Sequence, residues 1–423
     1  MRSNYTWSIW IFLLTYFPSA GQDTLRLTLQ EVQKIFADSN LQVLIQRSNV
    51  EAARAQVLQA KLFANPTFSL EQSLIGRSTI ANNEPLGPYA QQVIQVQQLF
   101  LLAGKRNKNI QLAQLNTQLN EYQLFDLLRT LVFSLNSNFF EVAYQLRTLE
   151  VYRQEAKTIE QLVYAYRELQ KDGNVAMKEV VRLESSLFSL QSDMTQLELD
   201  IAQNQADLRV LLSINRHIFI VPELNESKLD SLQFQGRSLD QLIETAEENR
   251  YDIKIQEANV RLATTNLKLQ RSYRVPDVLL GYTYDRAGSY VNNYHGVTLQ
   301  STLPLFNRNQ GNIKTADYQL QGSKRSLGQA RVALHNDVIL AYTQALKTET
   351  LYRHFDKQFV TSFTTLIRGV MEGYEKKTIS LVEFMDFFDS YKENVVQFNA
   401  LRNNRIQSYL KLNFSVATSL FEF

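Results

Sequence analysis

The four histidines are the first residues that could do chemistry, because imidazole serves both as a metal ligand and as a general base. His217, His295, His335 and His354 are scattered along the 423 residues, and none falls in a metal-ligand spacing such as HExxH. Isolated histidines of this kind are typical of surface or helix positions. The sequence therefore offers no metal site and no catalytic constellation, and we expect neither a cofactor nor an enzyme.

Cysteine, glycine and net charge exclude further classes of site. Cysteine is absent from the whole chain, which excludes disulfides, thiolate metal sites and a lipid anchor on cysteine. Gly311, Gly322 and Gly328 lie in a helical pattern, whereas a phosphate-binding loop connects a strand to a helix. With 44 basic and 42 acidic residues, the chain has little net field to attract nucleic acid.

One acidic pair has a spacing that could matter. Glu383 and Asp386 are three residues apart in the string SLVEFMDF, which places both carboxylates on one face of a helix. Taken alone, this spacing is typical of the solvated face of an amphipathic helix. Whether the pair does more depends on the elements that position it.

Those elements come from a tandem duplication. Residues 29–70 align without a gap with residues 239–280, and both copies read as helix, proline, strand, polar loop, strand and long helix. The identical pairs are Leu29/Leu239, Ile45/Ile255, Gln46/Gln256, Asn49/Asn259, Val50/Val260, Ala53/Ala263, Pro66/Pro276 and Leu70/Leu280. The period is far longer than the roughly 20 to 50 residues of a stacked solenoid. We therefore expect one structural unit used twice.

Each copy contains a predicted β-hairpin, at about residues 66–100 and 276–305. Apolar and polar residues alternate along these strands, as in Phe68 and Leu70 or in Leu280, Tyr282 and Tyr284. Four strands with one apolar face favour contact with lipid, but barrels start at about eight strands. Open sheet edges in hydrocarbon would leave backbone groups unpaired, so we expect chains to assemble. Two chains would give a filled barrel, and three would give twelve strands around a water-filled lumen; the alternative is a soluble sheet covered by helices.

Long helices fill the remainder of both copies. Proline is absent from residues 89–221 and 305–423, and apolar residues recur there at spacings of three and four. A helix from about residue 104 to 170 would be on the order of 100 Å long at 1.5 Å per residue. Turn signatures at residues 171–176 and 373–380 predict that each long helix reverses into an antiparallel hairpin. The predicted apolar seams are Leu128, Leu131, Leu135, Phe139, Val142, Leu146, Leu149, Ala156, Ile159, Val163 and Tyr166, and then Leu334, Val338, Ala341, Ala345, Tyr352, Phe355 and Phe359.

The chain begins with the pattern of an export signal. Arg2 is followed by an apolar core at residues 7–17 and by small residues up to Gly21, which predicts a cleaved signal peptide over residues 1–21. The apolar core is shorter than the about 20 residues that span a bilayer as a helix. We expect residues 22–214 to form the first repeat, residues 215–236 a polar connector without clear periodicity, and residues 237–423 the second repeat.

Strings spread over nearly all of the mature sequence resemble the TolC-type outer-membrane efflux proteins. They are LTLQEVQKIF and SLDQLIETA at the two repeat openings, VEAARAQVLQAKLFANPTFSL, ENRYDI, LPLF, GNVAMKEVVRLES and GYEKKTISLVEFMDFFDSY. The last two resemble the heavy-metal cation branch, the CzcC and CusC type. Two features depart from the pattern: the chain lacks the cysteine that anchors some members of that branch, and Tyr251 stands where the family often has proline.

The resemblance implies a mainly α protein with a small β part. Its long helical hairpins would form a periplasmic α-barrel, and its four strands would contribute to a trimeric, twelve-stranded transmembrane β-barrel in the cell outer membrane. The implied partners are two further copies of the chain, a periplasmic adaptor protein, an inner-membrane pump of the resistance-nodulation-division type, and outer-membrane lipid.

The implied function is a passive exit duct for small solutes, heavy-metal cations first and drugs second, energised by the pump. One alternative is the exit duct of type I protein secretion. An alternative of another class is a periplasmic coiled-coil scaffold that never enters the membrane.

The resemblance also assigns roles to residues near the helix turns. Glu383 and Asp386 would form an acidic ring that closes the tunnel, in which like charges raise one another's pKa and attract cations. Glu179 and Tyr374 would be latch partners of the closed gate. The adaptor would dock on the turns, at Gly173, Asn174, Val175 and Ala176 and at Thr378, Ile379 and Ser380. Docking would open the gate by an iris-like shift of the coiled coils.

Overall fold

A computed structural model describes residues 23–74, 91–234, 238–287, 291–354, 365–366, 368–374, 376 and 378–423. The predicted signal peptide and the loop of the first hairpin lie outside these residues. The first half contains β1 (Asp23–Thr28), α1 (Leu29–Ser39), α2 (Leu41–Lys61), β2 (Thr67–Gln72), β3 (Gln92–Phe100), α3 (Lys105–Lys171) and α4 (Met177–Leu211). After β4 (Ile218–Glu223) and α5 (Glu226–Ser231), the second half contains α6 (Leu239–Asn249), α7 (Tyr251–Ser272), β5 (Val278–Ala287), β6 (Asn292–Ser301), α8 (Gln310–His354) and α9 (Leu381–Val416). Residues 368–374 are also helical.

Capping boxes start the first helix of each half. The Glu31 carboxylate accepts a hydrogen bond from the Thr28 backbone N–H at 2.8 Å, and the Thr28 hydroxyl accepts one from the Glu31 N–H. Ser238 and Gln241 make the same reciprocal pair before α6. These bonds satisfy backbone donors that a helix start otherwise leaves unpaired. The two halves therefore begin with the same capping box.

The helical stretch before the first strand is divided into two helices, because the chain turns at Asn40. Asn40 has extended backbone angles, ends α1, and accepts a hydrogen bond from the Val43 N–H at 3.0 Å to begin α2. Its amide nitrogen also donates to the carbonyl of Leu211 at 2.8 Å. A contact with a residue so distant in sequence is decided by the tertiary structure, and an Asn in a helical pattern does not predict it.

Arg250 occupies the corresponding turn of the second half. It is buried, and its guanidinium binds Asp252 at 2.6 Å and Asp337 at 3.2 Å. Tyr251 is the first residue of α7, and its ring stacks on Phe125 with 4.8 Å between the centroids. The helix therefore begins at Tyr251 without the proline that the family pattern has there.

The main sheet joins the two halves. Its strand order is β2-β3-β5-β6, every pair is antiparallel, and β3 of the first half pairs with β5 of the second. Opposed residues of antiparallel strands point to the same face. One row across the sheet is Phe68, Val96, Tyr282 and Val297, and the next is Leu70, Ile94, Tyr284 and His295. The register thus places the predicted apolar alternation of all four strands on a single face.

A second, two-stranded sheet was not expected from the sequence. Strands β1 and β4 pair in parallel, with Leu27 opposite Pro222, which is accommodated because this strand is an edge. The Gln205 side chain accepts from the Ile220 N–H at 2.9 Å and donates to the Ile220 carbonyl at 2.6 Å. The stretch predicted as an irregular connector therefore contains a strand and the short helix α5.

Helix α3 has 67 residues, which corresponds to about 100 Å at 1.5 Å per residue. Of its predicted seam, Leu135, Phe139 and Ile159 are among the least exposed side chains, whereas Tyr166 is half-buried. The seam of α8 is buried from Leu334 to Tyr352, and its last two predicted members, residues 355 and 359, lie outside the described residues. The prediction of a mainly α protein with a small β part is confirmed.

Within the described ranges, three hydrophobic clusters follow one another along the helices. One packs α3 and α9 against α1, α2, β1 and β4, another packs α8 and α9 against α6, and the third lies near the helix turns. Among the described residues, no helix combines the length and apolar composition that crossing a membrane requires.

Candidate functional site

The first helix turn is closed by a left-handed glycine. Gly173 has φ +73°, a conformation that costs other residues more than it costs glycine. The N–H groups of Gly173 and Asn174 donate to the carbonyls of Gln170 and Leu169, and these bonds satisfy the last carbonyls of α3. Gly173, Asn174 and Ala176 are exposed and Val175 is half-buried. These predicted docking residues thus form one accessible turn.

The second turn is held by side chains as well as backbone. The Thr378 N–H and hydroxyl both donate to the Gly373 carbonyl, at 2.9 and 2.8 Å. Ile379 packs so closely on Gly373 that a Cβ there would lie 2.7 Å from the Ile379 Cδ1. Ser380 then starts α9 as its N-cap. Thr378 and Ser380 are exposed, so this turn is accessible too.

A cluster that we call the tip core packs α3, α4 and α9 together next to these turns. It contains Ile159, Val163, Leu183, Leu190, Phe384, Met385 and Phe388. The Tyr374 ring stacks on Phe384 with 4.6 Å between the centroids, and its hydroxyl donates to the Tyr166 hydroxyl. The contact with Phe384 therefore spans the second turn, and the contact with Tyr166 links this turn to α3 of the first hairpin.

The two predicted latch residues interact electrostatically. Burial and the hydrogen bond to Tyr166 raise the pKa of Tyr374, and the Glu179 charge contributes in the same direction. Within one chain, however, the hydroxyl of Tyr374 donates to Tyr166, and Glu179 lies at the half-buried start of α4.

Glu383 and Asp386 both lie on the exposed face of α9, opposite the buried Phe384 and Phe388. The Glu383 carboxylate accepts hydrogen bonds from the Ser380 N–H at 2.9 Å and from its hydroxyl at 2.8 Å. These bonds, the backbone one foremost, hold the pKa of Glu383 below its usual value. Within one chain the first carboxylate of the predicted ring is therefore ionised at neutral pH and oriented by the helix cap.

Glu155 is a functional candidate that the sequence analysis missed. It lies on α3 beside the tip core and is only 4% exposed, and neither carboxylate oxygen has a hydrogen-bond partner among the residues that the structure describes. Burial raises the pKa of Glu155 to about 8, with Lys392 opposing the shift and Asp389 adding to it. The sequence contained one signal for this burial. Glu155 directly precedes the seam residue Ala156 and so lies near the side of α3 that faces the neighbouring helices.

The histidines do not converge. His295 Nδ1 lies 2.6 Å from the Tyr282 hydroxyl, His335 Nε2 lies 2.7 Å from Glu247, and His354 Nδ1 donates to the Thr350 carbonyl. In the part of the chain that the structure describes, no group of three or more histidine, aspartate or glutamate side chains could hold a metal ion.

The apolar face of the main sheet is uncovered in the single chain. Val297 is 81% exposed, Leu299 70% and Phe68 66%, although buried positions are the usual place for such side chains. Strands β2 and β6 form the two edges and carry unpaired backbone groups. Both the face and the edges therefore require contacts that the single chain does not provide.

Comparisons with known proteins agree with this architecture. The sequence model described as outer membrane efflux protein matches residues 35–213 and 242–362. No curated protein gives a significant match.

Several solved channels share the fold. The chain is similar to CusC, with a TM-score of 0.71, 16% identity and coverage of 92% of this chain and 91% of that chain. It is also similar to the Campylobacter jejuni CmeC outer membrane channel, with a TM-score of 0.72, 12% identity and coverage of 92% and 85%. The open state of the Neisseria gonorrhoeae MtrE outer membrane channel gives a TM-score of 0.71, 16% identity and coverage of 93% and 89%. At these identities the likeness concerns the fold.

Proposed function

The chain belongs to the outer membrane efflux protein family, and from this membership we propose that it is the passive exit duct of a tripartite efflux system. Proteins of this family are channels. The observation that carries the proposal is the combination of a sheet with one continuous exposed apolar face and a 67-residue helix leading away from it. A protein built this way can place its sheet in a membrane while its helices extend through an aqueous compartment.

The sheet provides the argument for membrane insertion. Its other face carries polar rows such as Ser69, Gln95 and Thr283. Gly281 on that face would bring a Cβ within 2.4 Å of the Thr298 hydroxyl, so close packing of polar side chains continues across the strands. An apolar outer face and a polar inner face are the pattern of a barrel in lipid with an aqueous interior.

The open edges provide the argument for assembly. In hydrocarbon, each unpaired N–H or C=O of β2 and β6 would cost several kcal/mol. Joining the β6 edge of one chain to the β2 edge of the next removes both edges. Three copies give twelve strands, enough for a lumen, and we therefore propose a homotrimer.

The helical hairpins provide the argument for partners. The turns at residues 173–176 and 378–380 are accessible, and the first lies at the end of the 67-residue helix α3 that is farther from the sheet. We propose that a periplasmic adaptor docks on these turns and that an inner-membrane pump supplies the energy. Opening needs an adaptor that binds the open state more tightly than the closed state. Because the adaptor would dock next to the tip core, we propose that the packing of the tip core changes on opening.

Heavy-metal cations are our first proposal for the transported solute. The turn strings resemble the heavy-metal branch of the family, and Glu383 and Asp386 present two carboxylates on one exposed face of α9. Three chains would set six carboxylates around the axis and attract cations. Drugs, and proteins exported by type I secretion, are the alternatives.

The mass of the protein extracted in mild detergent, measured by light scattering after size exclusion, tests the duct. We expect a trimer that requires detergent. A monodisperse monomer that stays soluble without detergent would overturn the duct and favour a periplasmic coiled-coil scaffold. Growth of a deletion strain on metal salts, compared with growth on drugs and with assay of a secreted protein, then separates the three classes of solute.

The acidic ring is tested by single-channel recording of Glu383→Gln with Asp386→Asn. These substitutions remove both charges and keep an acceptor at the Ser380 cap. We expect weaker cation selectivity and weaker block by multivalent cations. Glu393→Gln, an exposed charge farther along the same helix, is the matched control. Unchanged selectivity in the double variant would remove the ring from the mechanism.

A further inference from the structure

The places where helices meet the main sheet are strongly basic. Residues 57–63, 99–115, 262–277 and 303–316 contain Lys61, Lys105, Arg106, Lys108, Lys268, Arg271, Arg274, Arg308 and Lys314, and their only acidic residue is Asp277. The whole chain has almost equal numbers of basic and acidic residues, 44 and 42. Composition alone therefore does not explain this excess of positive charge.

Contacts between the junctions make them one continuous surface, which we call the collar. Arg106, at the start of α3, donates to the carbonyl of Lys61 at the end of α2. Lys105 Nζ binds the Val275 carbonyl and Asp277, both at 2.7 Å, and so ties the start of α3 to the end of α7. Asn309 then donates to the Gln270 carbonyl at 2.8 Å, which ties the end of α7 to the start of α8.

Helix stability does not account for the charges at two of the four junctions. The first turn of α3 contains no acidic residue and begins with Lys105, Arg106 and Lys108. The start of a helix carries partial positive charge, so cations there are unfavourable. Arg308 stands just before α8, whose first turn also lacks an acidic residue. Only the cations at the ends of α2 and α7 are placed favourably for the helix dipole.

Internal ion pairs do not account for them either. Among the residues that the structure describes, Lys105 is the one collar cation with an ion pair, through Asp277 at 2.7 Å. Lys108 donates to the Ala103 carbonyl at 2.6 Å and Arg308 to the Leu305 carbonyl at 3.1 Å, and such bonds leave the positive charge uncompensated. Lys268, Arg271 and Arg274 are exposed. The collar therefore presents a net positive charge to its surroundings.

Large apolar side chains are interleaved with these cations. Phe306 is 93% exposed, Phe63 69% and Leu303 67%, and the Arg106 guanidinium lies 4.1 Å from the centre of the Phe63 ring. Exposed aromatic and aliphatic groups beside lysine and arginine are typical of the boundary between hydrocarbon and lipid headgroups. Neither water alone nor hydrocarbon alone suits this mixture.

We propose that the collar binds the headgroups of anionic phospholipids in the membrane leaflet that faces the helices. The inference rests on the proposed function, which places the sheet in the bilayer. The apolar sheet face sets the depth of insertion, and the cations then lie at headgroup level, where lysine and arginine near an anionic surface are attracted. Binding of anionic lipid headgroups would thus hold the boundary between the sheet and the helices at the membrane surface.

The test follows the thermal unfolding of the detergent-extracted full-length protein, with phosphatidylglycerol or phosphatidylcholine added to the micelles. A ligand that binds the folded state raises the melting temperature. We expect phosphatidylglycerol to raise it more than phosphatidylcholine does, and added salt to reduce the difference. In the variant Arg271→Gln with Arg274→Gln and Arg308→Gln, the excess shift should fall at least threefold.

The matched control removes three exposed cations elsewhere on α8, through Lys324→Gln with Arg325→Gln and Lys347→Gln, and should keep the excess shift. An equal shift with both lipids, or an equal loss in both variants, would overturn the proposal. Inorganic phosphate that gives the same shift as phosphatidylglycerol would identify a free-anion site instead.

Two further outcomes are distinguishable from these. A collar variant that changes ion selectivity while keeping the lipid effect would place the cations in the lumen and overturn the lipid assignment. A protein that is a soluble monomer without detergent would contradict the proposed function itself, and the lipid inference with it.

Discussion

The region where α8 and α9 meet the connector, which we call the waist, and the region near the helix turns, which we call the tips, are held together by different kinds of contact. At the waist, the Glu349 carboxylate accepts from Arg405 Nε and from the Tyr409 hydroxyl, both at 2.6 Å, and all three side chains are buried. Arg405 also donates to the carbonyls of Leu229 and Leu232, which flank the end of α5. We call Glu349, Arg405 and Tyr409 the waist cluster; it joins α8, α9 and the connector by directional, charge-assisted bonds.

The tip core lacks an equivalent cluster in its described residues. Its apolar side chains and the stacked ring of Tyr374 impose little directional constraint, and the Glu155 carboxylate beside it has no hydrogen-bond partner in the described part of the chain. Directional bonds lose their free energy over small displacements, whereas apolar contacts tolerate sliding. An opening movement of the proposed channel should therefore pivot at the waist and be absorbed at the tips.

The largest loss of stability should come from removing a charge from the waist cluster. Glu349→Ala leaves the guanidinium of Arg405 buried without its carboxylate, and removing one partner of a buried pair costs about 3–5 kcal/mol. We expect a loss of thermal stability of that order, measured by circular dichroism in detergent. Glu349→Leu with Arg405→Met should recover much of it, because no buried charge remains.

The control for this prediction is the exposed pair of Arg331 and Glu257, with atoms 3.3 Å apart. Glu257→Ala should cost less than about 1 kcal/mol, as exposed ion pairs usually do. If Glu349→Ala were as mild as Glu257→Ala, the waist would not be the rigid part of the molecule.

The next largest effect concerns pH at the tip. An unfolded glutamate ionises near pH 4.3, whereas burial raises the pKa of Glu155 to about 8. The folded state therefore holds a proton that the unfolded state releases, and its stability falls as pH rises from about 4 to about 8. Glu155→Gln removes this loss, so it should be more stable than the parent above pH 8, by up to about 5 kcal/mol.

Melting curves of the two proteins at pH 5, 7 and 9 check this. The difference between them should be small at pH 5 and grow with pH. The control is Glu150→Gln, an exposed position one and a half turns away on α3, which should follow the parent. A constant difference at all three pH values would show that Glu155 does not titrate in this range.

The smallest effect should come from the hydroxyl pair at the tip. Tyr374→Phe removes the donor to Tyr166 and keeps the stacking on Phe384. A hydrogen bond of this kind contributes about 1 kcal/mol, so the open probability of the proposed channel should rise by about fivefold at most. The measurement is single-channel recording, with Tyr164→Phe, whose side chain is 72% exposed, as the control. Equal open probabilities in the two variants would mean that this pair does not hold the tips together.

Much of the fold could be predicted from the sequence because local patterns decide it. The period of two in β5 and the period of three and four in α3 each follow from the geometry of one element. The turn at Gly173 follows from the conformational freedom of glycine. The pairing of β1 with β4 could not be predicted in this way, since two six-residue strands about 190 residues apart are brought together by Gln205 and the core.

The residues of the candidate site can be divided in the same way, into those that local patterns predict and those whose contacts depend on the tertiary structure. Glu383 and Asp386 could be found by motif, and so could the two turns. The contact of Tyr374 with Tyr166 and the burial of Glu155 depend on which helix faces which, whereas the capping of Ser380 by Glu383 is local. The sequence alone does not distinguish a solvated glutamate from one that is buried without a partner.

The amino-acid sequence is sufficient to predict the duplicated unit, because its two copies share identical residues, and to predict the strand alternation and the long helices, because these follow from spacings within a few residues. The tertiary structure is needed to show that the four apolar strand faces coincide, that Arg405 and Glu349 meet at the waist, and that the basic junctions join into one collar. Those features depend on strand register and helix rotation. Both are set by the sum of many contacts between residues far apart in the chain, and no single segment contains that information.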